Sequence, residues 1–177
     1  MDTIQQQQPM WKPAMSTGLV LGLVLMIVSL IQNVMEMFGS VVFQYLSYII
    51  LIAGLILSIK YYRDQVQNGF ISYGQVVGFG VLTALFAGII SAFLMFLYLK
   101  FVDGSMIAYI FDKTEQDLYS KNMSDEQIDS TLAAMKNFTN PGMIAVLAVI
   151  SNVFFGLIVS LIAGIFMKNE QDELPNM

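Results

Sequence analysis

The sequence predicts an all-α integral membrane protein: a four-helix bundle with an extracytoplasmic helical insert between its third and fourth spans. Three observations carry this. Of the 177 residues, 56% are hydrophobic and only 12% are charged, about half the charge of a soluble domain. Mean hydropathy is +0.68. Four apolar runs each reach the roughly 20 residues that a helix needs to cross a hydrocarbon core. In lipid such runs must be helical, because backbone groups find hydrogen-bond partners only within the segment.

The spans follow in order. The first runs over 14–35 and the second over 41–59, both without charge. The third covers 74–99 and the fourth 143–167. Trp11 and Lys12 suit an interface, and Pro13 suits a first helical position, where its missing N–H costs nothing. Gly39 and Ser40 break the chain after the first span. Lys60, Tyr61, Tyr62 and Arg63 form an aromatic and basic border after the second. Asn68-Gly69 is a turn signal, and Asn140-Pro141 pairs a cap with a first-turn proline. Residues 1–12, with a glutamine run at 5–8, read as a disordered cytoplasmic tail, 13–170 as one domain and 171–177 as a second tail. The first run is too long, and its leading segment too poor in charge, for a cleaved signal peptide.

The absences exclude chemistry. There is no Cys and no His, which removes disulfides, thiolate nucleophiles and the commonest metal ligand and general base. Net charge is −5, with only eight Lys and Arg, too few and too scattered for nucleic acid. No carboxylate or lysine lies deep in a span, so no intramembrane nucleophile has a base to activate it. No enzymatic activity, cofactor or metal is expected.

Orientation is read from the flanks. With both termini on one side, Lys12, Lys60, Arg63 and Lys168 share that side. The loop between the first two spans carries only Glu36. Lys and Arg favour the cytoplasm, so both termini are expected there and the acidic 103–140 insert outside. Within the insert, Ser124 and Gln127 have the spacing of a capping box. Ile128, Leu132, Met135 and Phe138 then repeat on one helical face. Upstream, Ile107, Ile110, Phe111 and Leu118 suggest a second amphipathic helix continuing from the third span. The two are expected to pack as a hairpin over residues 125–138 and 105–119. A groove for a partner is the alternative. The acid pairs Asp125/Asp129 and Asp112/Glu115 lack the ordered spacing of a calcium loop and read as a solvated face.

Small residues recur every four positions: Gly18 and Gly22; Gly80, Ala84, Gly88 and Ala92; Ala148, Asn152, Gly156, Ser160 and Gly164. Such stripes let helices approach closely, which matters where lipid supplies no hydrophobic drive. They serve packing within the chain or a homo-oligomer. Polar side chains within the spans are Ser29, Gln32, Asn33, Gln44, Ser47, Thr83, Ser91, Ser151 and Asn152. With Glu36 at a helix end, the group Gln32, Asn33, Glu36 and Asn152 is the candidate polar membrane site.

Several stretches carry a resemblance. They are Tyr62-Arg63-Asp64 with Gly69 to Gln75, Leu99 to Asp103, Met123 to Ile128, Met135-Lys136, Pro141-Gly142 and Phe155 to Phe166. In this order around an acidic insert, the chain resembles the domain of unknown function 4199 family over about 13–170. The resemblance implies a four-helix protein of the bacterial inner membrane, found mainly in Bacteroidota, with no activity or catalytic residue to transfer. Gly104 stands where that family often has proline after the aspartate. Two functions remain open. One is a noncatalytic membrane protein that contacts a protein partner through the insert or the stripes. The other is a carrier or channel component for a small neutral or lipidic molecule. Apart from these, the lipid bilayer is the expected partner.

Overall fold

The computed structural model describes residues 9–169. Six helices follow in order: α1 (Trp11–Val34), α2 (Val41–Tyr61), α3 (Tyr73–Phe101), α4 (Ser105–Ser120), α5 (Asp125–Met135) and α6 (Pro141–Met167). α2 runs into a π-helical turn, Tyr62–Val66. Four of the helices, α1, α2 with its π turn, α3 and α6, are long and apolar enough to cross a membrane. α4 and α5 lie between the third and fourth of these. The chain is therefore a helical, multi-pass membrane protein.

Several boundaries move. α1 begins at Trp11, inside the segment expected to be a tail, so Pro13 occupies its third position rather than its first. The proline is still tolerated, because the first four N–H groups of any helix lack intrahelical partners. Of the expected tails, residues 1–8 and 171–177 lie outside the described residues. α3 starts at a second capping box: Ser72 Oγ accepts from Gln75 N–H, and Gln75 Oε1 accepts from Ser72 N–H. α6 starts at Asn140, whose side chain accepts from Met143 N–H at 3.0 Å.

α3 is the centre of the bundle, packed most extensively against α6 and α1. The α3–α6 pair is antiparallel, with small residues in step. A Cβ on Gly80 would meet Ser160, one on Gly156 would meet Ala84, and one on Gly88 would lie 3.1 Å from Asn152 Cβ. α1 runs parallel to α3. A Cβ on Gly18 would fall 2.7 Å from Thr83 O, and one on Gly22 2.6 Å from Ala87 O. Thr17 and Thr83 hydroxyls meet across this seam at 3.4 Å. Several polar side chains in the spans turn back on their own helix: Ser47, Ser58, Asn152 and Ser160 each donate to the carbonyl four residues earlier. This removes the cost of a free donor in lipid.

The end away from the insert is tightly closed. The Tyr62 and Phe79 rings stack at 4.2 Å and are 2% and 0% exposed. Tyr62 therefore faces the core rather than the interface. Gln67 Nε2 donates to its hydroxyl at 2.7 Å. Ile71 and Asn169 exchange two backbone hydrogen bonds of 2.8 and 2.9 Å, tying the α2–α3 loop to the end of α6.

At the insert end, α1 finishes in a Schellman arrangement. Met37 N–H donates to Gln32 O and Glu36 N–H to Asn33 O, both at 3.0 Å, which satisfies carbonyls that a helix end leaves free. Glu36 holds the left-handed position with φ 53°, where glycine is usual. Its side chain is exposed, so truncation loses no packing. Glu36→Gly should raise stability by about 1 kcal/mol, read as a rise of about 2–4 °C in the thermal midpoint in detergent.

α3 does not continue into the insert. The chain breaks at 102–104, where Asp103 accepts from both the backbone N–H (2.9 Å) and the hydroxyl (2.8 Å) of Ser105. These hydrogen bonds hold its carboxyl below the ordinary carboxylate range. The insert is a helical hairpin in which α4 contacts α5. Ser124 and Gln127 form the expected capping box. The apolar face is shorter than expected. Ile128 is 1% exposed, Leu132 and Met135 are half-buried, and Phe138 is exposed. The reason is local: α5 ends at Met135, and the turn after it carries Phe138 off the helical face. Gly39, with φ 73°, lets the α1–α2 loop pass so close to α4 that the Tyr109 hydroxyl occupies the space of a Cβ. The Phe38 and Tyr109 rings lie 5.5 Å apart. Ile128→Asp should open the hairpin to protease, since it buries an unpaired charge. Leu132→Asp should raise the cleavage rate less, and Phe138→Asp should leave it unchanged.

Candidate functional site

In the half of the bundle nearer the insert, the four spans leave a cavity of about 280 Å³ between them. Each span contributes a polar group: Ser29 from α1, Ser47 and Tyr48 from α2, Ser91 from α3, Ser151 and Asn152 from α6. Leu25, Leu51, Met95 and Phe155 supply apolar wall. No ionisable carboxylate or amine lines it. Tyr48 and Phe155 bring their rings to 5.2 Å, joining α2 to α6 beside the opening.

Local structure explains why this space exists. α3 and α6 touch through Gly88 and Gly156, so their backbones approach where glycine permits it. α2 packs far less against α3 and α6 than these do against each other. Serine side chains are short and fold back on their helices: Ser47 Oγ donates to Phe43 O at 2.9 Å, and Ser91 Oγ donates to Gly88 O at 3.2 Å. Hydroxyl oxygens with such a bond still have acceptor capacity. Asn152 donates to Ala148 O at 2.9 Å. The wall thus offers several acceptors, amide hydrogens and apolar surface, and no charge.

A second hollow of about 370 Å³ sits above it at the insert end, lined by Gln32, Gly39, Ser40, Gln44, Ser47 and Tyr48. Ser47 and Tyr48 line both spaces. Polar side chains therefore follow one another from the α1–α2 loop to the cavity. Below the cavity the bundle is closed. Leu55, Thr83, Ala84 and Ala87 are 0% exposed and fill the section between the four helices.

The polar group expected from the sequence is not one site. Gln32 lines the mouth, and its Nε2 donates to Met37 O at 3.2 Å. Asn152 lines the inner cavity. Glu36 is exposed beyond both. Asn33 is 3% exposed; its amide donates to Ser29 O at 2.8 Å, and its Oδ1 has no partner. The physical reason is helical phase. Successive residues on α1 are turned about 100° from each other, so Gln32 and Asn33 face different neighbours. Tyr48 was not legible as a site residue, because an aromatic within an apolar span reads equally as a packed or lipid-facing side chain. The small residues occupy the seams: Gly18 and Gly22 against α3, Gly80, Ala84 and Gly88 against α6, and Gly164 under the Tyr73 ring. Among the described residues, no three carboxylates come together.

Comparison with curated proteins finds no match, and neither does comparison with solved structures. A family model, described as a protein of unknown function (DUF4199), matches residues 16–169. That range takes in all but the first five residues of α1, the other three apolar helices, the insert and both hollows, and the chain belongs to this family.

Proposed function

We propose that the chain is a noncatalytic protein of a bacterial inner membrane whose four spans together hold a small uncharged molecule taken up from the insert side. The observation that carries this reading is the cavity to which every span contributes a polar side chain. Charge-free walls with scattered acceptors suit a neutral, partly polar ligand. A charged one would lose its hydration without a counter-ion. The packed section at Leu55, Thr83 and Ala87 favours a binding site over a through-channel. No group able to activate a nucleophile lines the wall.

The test is retention. Protein purified in mild detergent should carry an uncharged compound, detected by mass spectrometry after extraction. Ser91→Leu, which fills the cavity, should release it while helix content by circular dichroism stays unchanged. Protein that carries nothing but lipid, with no difference between the two forms, would sink the reading.

The orientation proposed is termini in the cytoplasm and insert outside, supported by Lys12, Lys60 and Arg63 flanking one end. The chain has no Cys, so single substitutions report cleanly. Ser120→Cys should react with an impermeant thiol reagent on intact cells, and Gln65→Cys only after permeabilisation. A second reading, contact with a protein partner, is favoured by the exposed Tyr119 and Phe138 of the insert. The small-residue stripes are occupied within the chain, so a partner would meet the insert. A stoichiometric protein that co-purifies and is lost on Phe138→Asp would favour this reading over the first.

A further inference from the structure

Away from the four-span cavity, α1 and α2 part in the half of the bundle distant from the insert and leave a groove of about 510 Å³. Its wall is mostly apolar, with Val20 and Val24 on α1 and Ile50, Ala53, Gly54 and Leu57 on α2, and the hydroxyls of Thr17 and Ser58, which also line it, donate to carbonyls of their own helices. Val20 and Leu57 are 60% and 65% exposed. The groove exists because α2 presents small residues here. Leu21 of α1 packs onto Gly54, and Ala53 beside it fills little space. From Ser16 to Val24 it runs about 12 Å along α1 at the helical rise.

We propose that this groove seats an acyl chain of an anionic phospholipid, with the phosphate beside Lys12 and Lys60. Both helices are candidate membrane spans, so the groove lies at hydrocarbon depth. An apolar hollow there holds no water, and left empty it forfeits dispersion contacts along its whole length. Acyl chains are what the surroundings supply. The charge at one end selects among them. Ser16 and Tyr61 close the groove at the helix ends. Lys12 lies one turn beyond Ser16 on α1, and Lys60 lies one turn beyond Leu57 on α2. Both lysines are exposed, and Lys12 Nζ stands 5.9 Å from the Trp11 ring. Lysines at helix ends extend to the headgroup level, where each favours an anionic lipid. The inference stands on its own lining and does not depend on the four-span cavity.

The test is native mass spectrometry of the full chain released from nanodiscs that contain equal phosphatidylglycerol and phosphatidylcholine. The protein should retain phosphatidylglycerol preferentially. Lys12→Gln and Lys60→Gln should each lower that preference about fivefold. Ala53→Leu, at an exposed position, should fold normally and reduce retention of either lipid. Equal retention of the two lipids would overturn the headgroup assignment. Retention unchanged in Ala53→Leu would overturn the groove. A dimer that dissociates on Ala53→Leu would place a second copy there instead, which also overturns the proposal.

Discussion

Gly156→Leu should lower stability in detergent by more than 3 kcal/mol, beyond the usual cost of an overpacked core. The reason is which atoms stand in the way. A Cβ on Gly156 would overlap Ala84 Cβ, and Ala84 is fully buried on α3. Neither helix can yield by turning a side chain, because the obstacle is joined directly to backbone. α3 and α6 must separate, and the contacts at Gly80/Ser160 and Gly88/Asn152 open with them. In lipid these van der Waals contacts are the main source of cohesion. Alanine scanning of the glycines gives the sharper form. Gly156→Ala and Gly22→Ala should each destabilise, the latter because Ala87 O would lie 2.6 Å from the new Cβ. Gly74→Ala should stabilise by about 0.4–1 kcal/mol, since none of the described residues comes within 4 Å of its Cβ and its φ is not positive. Thermal midpoints of the three variants check this. A common sign for all three would mean that the seams are not where the cohesion lies.

Phe79→Ala should cost roughly 3–5 kcal/mol, the range for removing a fully buried phenylalanine. Phe79 stacks on Tyr62 at 4.2 Å with a 7° angle between rings. It shares its cluster with Ile59, Ile71 and Val76, all 0–1% exposed. Distant parts of the chain converge there: α1 through Ala14, α2 with its π turn, the α2–α3 loop, α3 and α6. The void left by the ring would therefore loosen the Ile71–Asn169 backbone pair as well. Hydrogen exchange at Ile71 should rise together with the drop in stability. A loss confined to stability, with Ile71 exchange unchanged, would show that the closure of this end does not depend on the stacked pair.

The four spans were legible from the sequence, because the demand for about 20 apolar residues in helical form is local. So were the Ser124–Gln127 capping box and the Asn140 cap, which act over three residues. The small-residue stripes were visible as spacing. Tertiary structure decided which stripe meets which, since registers on two helices are compared only when the helices are side by side. Ser29, Ser47, Ser91 and Ser151 were each visible as a polar residue in an apolar run. Nothing in their spacing could state that four helices aim them at one cavity. Tyr62 and Phe138 mark the limit from the other direction. Tyr62 looked like an interface anchor and is core, because it continues the buried Leu55 and Ile59 face of α2 at helical spacing and meets Phe79. Phe138 looked like part of a covered face and is exposed, because α5 ends three residues before it. In both cases where the helix ends and which face meets its neighbours decide the environment. The sequence alone determined that the chain is helical and where it crosses; phase and proximity, set only when distant segments pack, decided what its polar residues face.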